Sequence, residues 1–274
     1  MRPDREAPIG VFDSGVGGLT VLRALESALP GERFVYLGDT ARLPYGTKSG
    51  NTVRRYAVQA ARVLVDAGVK ALVVACNTAS AVSLDALRAA YAPLPVFGVV
   101  EPGATAACHV SRYGRIAVIA TESTVRGGAY QRAILARRGD ARIFARPCPL
   151  LVTLAEEGWI EGNVPEAVVA AYLGSWLNDA THADCLLLGC THFPILAPLL
   201  ERLAPPGMVL VDSAATTAAA VADALAADDL VARDRARAWT RRLLASDSPE
   251  RFARVGRTFL GQPISASDVE LVDL

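Results

Sequence analysis

Two stretches of this chain place proton-moving side chains where an apolar run stops. Ala71 to Ala75 is apolar and ends in Cys76, Asn77 and Thr78. Cys185 to Gly189 repeats the pattern and ends in Cys190, Thr191 and His192. A third run, Ile9 to Phe12, ends in Asp13 and Ser14 and is followed by Gly15-Val16-Gly17-Gly18. A cysteine switches between thiol and thiolate at an ordinary pKa of ~8.5, and a helix start beside it lowers that value. Both cysteines are therefore candidates for acid–base work near neutral pH.

Four uses of cysteine compete. The first is inert packing, and Cys108, Cys148 and Cys185 are assigned to it. The second is a metal, with His182, Cys185, Cys190 and His192 as ligands on paper. Cys185 and Cys190 bound one strand, with side chains expected on opposite faces, so they cannot share one ion at ~2.3 Å per sulfur. The third is nucleophilic attack by Cys190 with His192 as base, which leaves Cys76 without a role. The fourth uses both thiols on opposite sides of one substrate. Inverting a stereocentre needs a proton removed from one face and another delivered to the opposite face. Two facing bases do this without moving.

The elements that must position these groups follow from periodicity. Short apolar runs bounded by small polar residues read as buried parallel strands. Strands are expected at 9–12, 34–37, 71–75, 95–100, 115–120, 142–145, 185–189 and, as the last clear one, 208–211. Helical stretches lie between them, including 19–29, 51–67 with Asn51 as its cap, 80–91, 150–157, 165–180 and 215–226. The segment 238–246 fits helix or strand equally. Strand–helix alternation argues for an α/β fold with mostly parallel sheets. The order also restarts near 99–102, and the strand ending at Thr121 precedes Cys190 much as the strand ending at Asp13 precedes Cys76. Two pseudo-symmetric lobes with a site in the cleft between them are expected. The polar loop 38–50, with Pro44, Tyr45 and Gly46, is long enough to serve that site.

Composition narrows the class. The 274 residues are 52% hydrophobic and 20% charged, with net charge zero, which suits a large packed core and gives no support for nucleic-acid binding. No apolar run approaches the ~18 residues of a membrane span, and Met1 to Pro8 is polar and too short for a signal peptide. Five cysteines without a signal suggest free thiols in a reducing cytoplasm. Lys48 and Lys70 are the two lysines among 28 basic residues. Lys48 falls in the polar loop and Lys70 precedes a strand at the end away from the cleft, so a Schiff-base cofactor is not expected.

Taken together, the stretches 9–18, 38–46, 75–79, 121–126 and 189–192 resemble the glutamate racemases of the aspartate/glutamate racemase superfamily. The resemblance runs in register from about 9 to 213. It implies cofactor-independent interconversion of L- and D-glutamate for peptidoglycan synthesis, two α/β lobes (1–98 with 212–274, and 99–211) and a homodimer. The ambiguous 238–246 segment would be a strand of the first lobe. By motif, Cys76 matches the base for D-glutamate and Cys190 the base for L-glutamate, with Asp13 and His192 as their helpers. Ser14, Pro44, Tyr45, Gly46, Asn77, Thr78, Thr121, Thr124, Glu156 and Thr191 match the substrate-binding set, together with Asp13 and His192. Glu122-Ser123 departs from the family, where a glycine is expected near the second threonine. Racemases of the same superfamily for other substrates, and a non-catalytic two-lobed binding protein, are the rival readings. A binder needs neither cysteine.

Overall fold

The computed structural model describes residues 4–177, 182–233 and 240–274. The expectations for 1–3, for the end of the 165–180 helix at 178–180, and for 238–239 lie outside the described residues. The chain opens with β1 (Ile9–Asp13), α1 (Leu19–Ala28), β2 (Phe34–Gly38), α2 (Gly50–Asp66), β3 (Ala71–Val74), α3 (Asn77–Tyr91) and β4 (Val96–Gly98). It continues through α4 (Val100–Val110), β5 (Arg115–Ala120), α5 (Glu122–Gly127), α6 (Ala129–Leu135), β6 (Arg142–Pro147), α7 (Pro149–Glu156), α8 (Asn163–Ser175) and β7 (Cys185–Gly189). The last part is α9 (Ala197–Leu203), β8 (Val209–Asp212), α10 (Ser213–Ala227), β9 (Arg241–Ala245), α11 (Pro249–Leu260) and β10 (Val269–Leu271).

The strands form two sheets, ordered β10-β9-β2-β1-β3-β4 and β6-β5-β7-β8. Every strand pair is parallel. Four strands of the first sheet, β2-β1-β3-β4, have the same order as the whole second sheet. In each set the chain steps to one side of its first strand and then crosses to the other. That reversal opens a crevice at the carboxyl ends of β1 and β3, and of β5 and β7. Asp13 ends β1 and Cys76 lies just beyond β3; Thr121 and Cys190 follow β5 and β7.

Strand alternation sends side chains to both faces of each sheet. Ile9, Val11, Tyr36 and Val73 pack with α1, α10 and α11, whereas Phe12, Val35, Leu37 and Val74 pack with α2 and α3. Ala117, Ile119, Leu186 and Leu188 meet α7, α8 and α9, whereas Ile116, Val118 and Leu187 meet α4 and α6. Parallel strands covered on both faces read as continuous apolar runs. The segment that periodicity left open is β9, with Leu243 and Leu244 in the cores on opposite faces of the first sheet. It pairs with β2 and carries β10 beyond it, a strand too short to stand out in sequence. α11 is held by Phe252, Val255 and Phe259 on one face and ends at Gly261, whose φ of 72° suits a glycine cap. Burying each phenylalanine contributes roughly 1.5–3 kcal/mol.

The cap expected at Asn51 is corrected by two residues. Ser49 is the cap and accepts from the Thr52 N–H at 3.3 Å. Asn51 lies inside the first turn and accepts from Arg54 Nη1. Either residue type can cap; the chain turns helical before reaching the second. No helix among the described residues is long and apolar enough to cross a membrane.

Candidate active site

The first sheet supplies an acid and a thiol. Asp13 is fully buried at the end of β1, and its Oδ2 accepts the Gly15 N–H at 2.9 Å. Burial pushes its carboxyl above the usual range; His192 and the N–H groups of Gly15, Gly18 and Ser14 oppose the shift. Gly18 follows because a Cβ there would stand 2.5 Å from the Asp13 Cβ. Cys76 caps α3: its sulfur accepts the Ala79 N–H at 3.4 Å, and its thiol donates to Ser14 Oγ at 3.6 Å. A helix start was expected to lower this thiol's pKa. It is instead pushed up to about 12, because burial and the nearby Asp13 outweigh the Ala79 N–H and the Ser14 hydroxyl. Cys76 is therefore a neutral thiol in this form.

The second sheet supplies a thiol with an imidazole. Cys190 follows β7, and its sulfur lies 3.8 Å from His192 Nδ1. His192 Nε2 lies 3.1 Å from Glu156 Oε1, and Arg251 Nη2 donates to Glu156 Oε2 at 2.8 Å. Burial alone would lower the His192 pKa, but the Cys190 and Glu156 contacts lift it to about 10. Burial likewise raises Glu156, yet His192 and Arg251 hold it below its ordinary range. An imidazolium–carboxylate pair results at neutral pH, next to Cys190. A histidine whose folded pKa is raised contributes stability in full below its unfolded value of 6.5 and loses it as pH rises towards about 10. Thermal melts from pH 6 to pH 10 are expected to fall more steeply for the wild type than for His192→Phe. Parallel curves would show that folding does not raise the His192 pKa.

The two halves meet at their strand ends. The Thr191 hydroxyl donates to Asp13 Oδ1 at 3.5 Å, and the Thr20 hydroxyl donates to the Thr191 carbonyl at 3.1 Å. Thr78 from α3, and Thr121 and Thr124 from the second half, have hydroxyls 3.0–3.2 Å apart. Thr121 starts α5 but makes no side-chain cap. Its hydroxyl meets those of Thr78 and Thr124 instead of a backbone N–H of its helix. The Tyr130 hydroxyl donates to Asn77 Oδ1 at 2.7 Å, and Asn77 Nδ2 is buried without a hydrogen-bond partner. Gly46 fits because a Cβ there would stand 2.7 Å from the Thr121 Cβ. Next to it, Tyr45 is buried and its hydroxyl donates to Asp39 Oδ2. Pro44 precedes it, and its carbonyl accepts from Lys48 Nζ.

The arrangement brings together convergent hydroxyl and amide groups, one buried carboxylate and two thiols at equivalent strand ends. It does not assemble a metal site: among the described residues no group of three His, Cys, Asp or Glu side chains could hold an ion. Cys185 and Cys190 pack in different cores. Glu156, matched by motif to the substrate-binding set, has its two oxygens on His192 Nε2 and Arg251 Nη2. Sequence reasoning missed Tyr130, Arg251 and Phe259. Phe259 stands edge-on to the His192 ring at 5.1 Å. Only their contacts identify them, since each lies outside the recognisable motifs. An open cleft of about 680 Å³ lined by Arg88, Glu101, His109 and Asp223 contains neither Cys76 nor Cys190.

Comparison with known proteins agrees with this geometry. The profile of the Asp/Glu/Hydantoin racemase family matches residues 9–221. A glutamate racemase of Geobacter metallireducens is 48% identical over 253 residues, covering 92% of each chain. A glutamate racemase of Neisseria meningitidis is 44% identical, covering 98% of each. Among solved structures, a Bacillus anthracis glutamate racemase superposes with a TM-score of 0.91 at 34% identity, covering 98% of each chain. The Francisella tularensis enzyme in complex with D-glutamate gives 0.89 at 33%, again covering 98% of each. An aspartate racemase from Picrophilus torridus, 15% identical with a TM-score of 0.55, shares the fold alone. Strand order, paired thiols and these similarities lead to one conclusion: the chain belongs to the Asp/Glu/Hydantoin racemase family.

Proposed function

We propose that this protein interconverts L- and D-glutamate with two cysteine bases and no organic cofactor. The observation that carries the reading is the placement of Cys76 and Cys190 after equivalent strands of two sheets with matching order. The lobes would divide as 1–98 with 212–274, and 99–211. From L-glutamate, Cys190 takes the α-proton on one face and Cys76 delivers its own proton to the other. From D-glutamate the roles reverse. Each turnover leaves one sulfur protonated and the other not, so the enzyme alternates between two forms.

The buried Asp13 carboxylate suits the substrate ammonium. The Asn77 amide, with no protein partner for its Nδ2, and the hydroxyls of Ser14, Thr78, Thr121, Thr124 and Thr191 suit the carboxylates, with Pro44, Tyr45 and Gly46 closing that side. Donors on the α-carboxylate also stabilise the developing carbanion in a dry site. An ammonium at Asp13 offsets the charge that helps hold the Cys76 pKa up, so substrate eases the thiolate form it needs. The resting Cys76 thiol suits proton delivery in the L to D direction. His192, with its raised proton affinity, would serve Cys190 as proton partner, and Glu156 would hold His192.

The resemblance further assigns the product to peptidoglycan synthesis and the enzyme to a cytoplasmic homodimer. Lys70 is fully buried and donates to the Arg5 and Leu230 carbonyls while pairing with Glu32 at 2.5 Å, so its ammonium is already engaged. Lys48 is the other lysine. Lys48→Arg keeps the charge and is expected to leave the rate within about twofold, as substitutions away from packed or buried polar contacts do; loss of activity in a folded variant would revive a Schiff-base mechanism. The primary test is to incubate purified protein with D-glutamate in deuterated water, following optical rotation and deuterium at Cα. Racemisation with label in the product supports the reading. Turnover of aspartate but not glutamate, or binding without turnover, would overturn it.

A further inference from the structure

Glu156 has two carboxylate oxygens and two protein partners, one from each side of the molecule. It ends α7, which packs on the second sheet. Its Oε1 faces His192 Nε2 at 3.1 Å, and its Oε2 accepts from Arg251 Nη2 at 2.8 Å. Arg251 belongs to α11, whose buried side chains pack in the core of the first sheet. Arg251, Glu156, His192 and Cys190 thus form one chain of contacts running from the surface to the second thiol. α11 touches this chain twice, because its Phe259 also stands against the His192 ring.

We propose that Arg251 is a positioning residue for the Cys190 half of the reaction. A glutamate carboxylate rotates freely about its last bond, with no deep torsional wells. Something must select the rotation that aims one oxygen at His192 Nε2. The Arg251 guanidinium does so by holding the other oxygen. The Arg251 side chain is 48% exposed and that of Glu156 14%, so the pair sits at the rim and its worth as a bare ion pair is small. Its effect is orientation. A cavity of about 60 Å³, lined in part by Val16, Leu43, Asp247 and Arg251, adjoins Glu156 on the same side. Truncating Arg251 enlarges that space, and Glu156 can then turn outward, releasing His192.

The inference rests on the reading of Cys190 as the base for L-glutamate. Arg251→Met is expected to lower kcat/KM about 10-fold, as small misplacements in a reacting geometry do. The two directions must fall equally, because two enantiomers have an equilibrium constant of unity. Substrate isotope effects separate positioning from general damage. Slower proton transfer at Cys190 raises the effect on kcat/KM with α-deuterated L-glutamate and lowers it with α-deuterated D-glutamate. Arg251→Lys should restore most of the rate and the wild-type isotope effects. In a Glu156→Gln background, Arg251→Met should add less than about a twofold loss, since neighbours acting through one contact are not additive. Unchanged isotope effects in Arg251→Met, or a full further loss in the Glu156→Gln background, would overturn the proposal. A wild-type protein that does not racemise glutamate in the same assay would instead remove the functional reading beneath it.

Discussion

Cys76→Ala and Cys190→Ala are each expected to lower glutamate racemisation by at least about 10³-fold, within the range that positioned acid–base groups contribute. The loss falls on both directions in both variants. A proton must leave one face and another must arrive at the opposite face, so either missing sulfur stops the same reaction at a different step. Cys76 is 5% exposed and Cys190 6%, and alanine removes only a sulfur from each site, so the variants are expected to fold. Circular dichroism and thermal melts check that. Initial rates from both enantiomers, followed by optical rotation, check the activity. If either variant keeps a tenth of the wild-type rate, one mobile base is sufficient and the two-thiol reading fails. Cys148, buried in the core of the second sheet, is the control: Cys148→Ala removes a sulfur from packing and leaves the mechanism intact.

Much of this site was legible because strand ends and sequence motifs coincide. Apolar runs stop where parallel strands stop, and Asp13, Cys76, Thr121 and Cys190 stand just at or beyond those stops. The order of elements also exposed the internal repeat, which the two sheets bear out in their shared strand order. Three things were not legible. β10 has three residues and no pattern of its own; it exists because β9 offers it an edge. The proton affinity of Cys76 depends on burial and on Asp13, both tertiary facts; the helix start does lower it through the Ala79 N–H, but burial outweighs that. Arg251 and Tyr130 approach Glu156 and Asn77 from distant positions in the chain, and no spacing announces them. The hydroxyls were legible in type but not in use. Thr121 sits where a helix cap belongs, yet its oxygen faces Thr78 and Thr124.

Gly17→Ala is expected to lower kcat/KM by about 10²-fold while the protein stays folded, the cost of roughly an ångström of misplacement at reacting groups. Gly17 lies in the turn between β1 and α1, and a Cβ there would stand 2.5 Å from Thr191 Oγ1 and 2.5 Å from His192 Nδ1 and Cε1. Contacts that short cannot persist. Thr191 donates to Asp13 and His192 borders Cys190, and neither has a free direction: Glu156 and Phe259 hold the imidazole from other sides. Relief must come from separating the two halves or from turning His192 away from the sulfur. Both act on the reacting geometry and not on the cores, so the melting temperature should change little. Gly15→Ala is the matched control in the same turn. Its added Cβ would meet Leu43 Cδ2 at 3.5 Å, an ordinary contact, and its N–H to Asp13 is retained. Steady-state rates for the two variants decide the matter. Equal activity in Gly15→Ala and Gly17→Ala would show that the turn does not need to press against Thr191 and His192 during turnover.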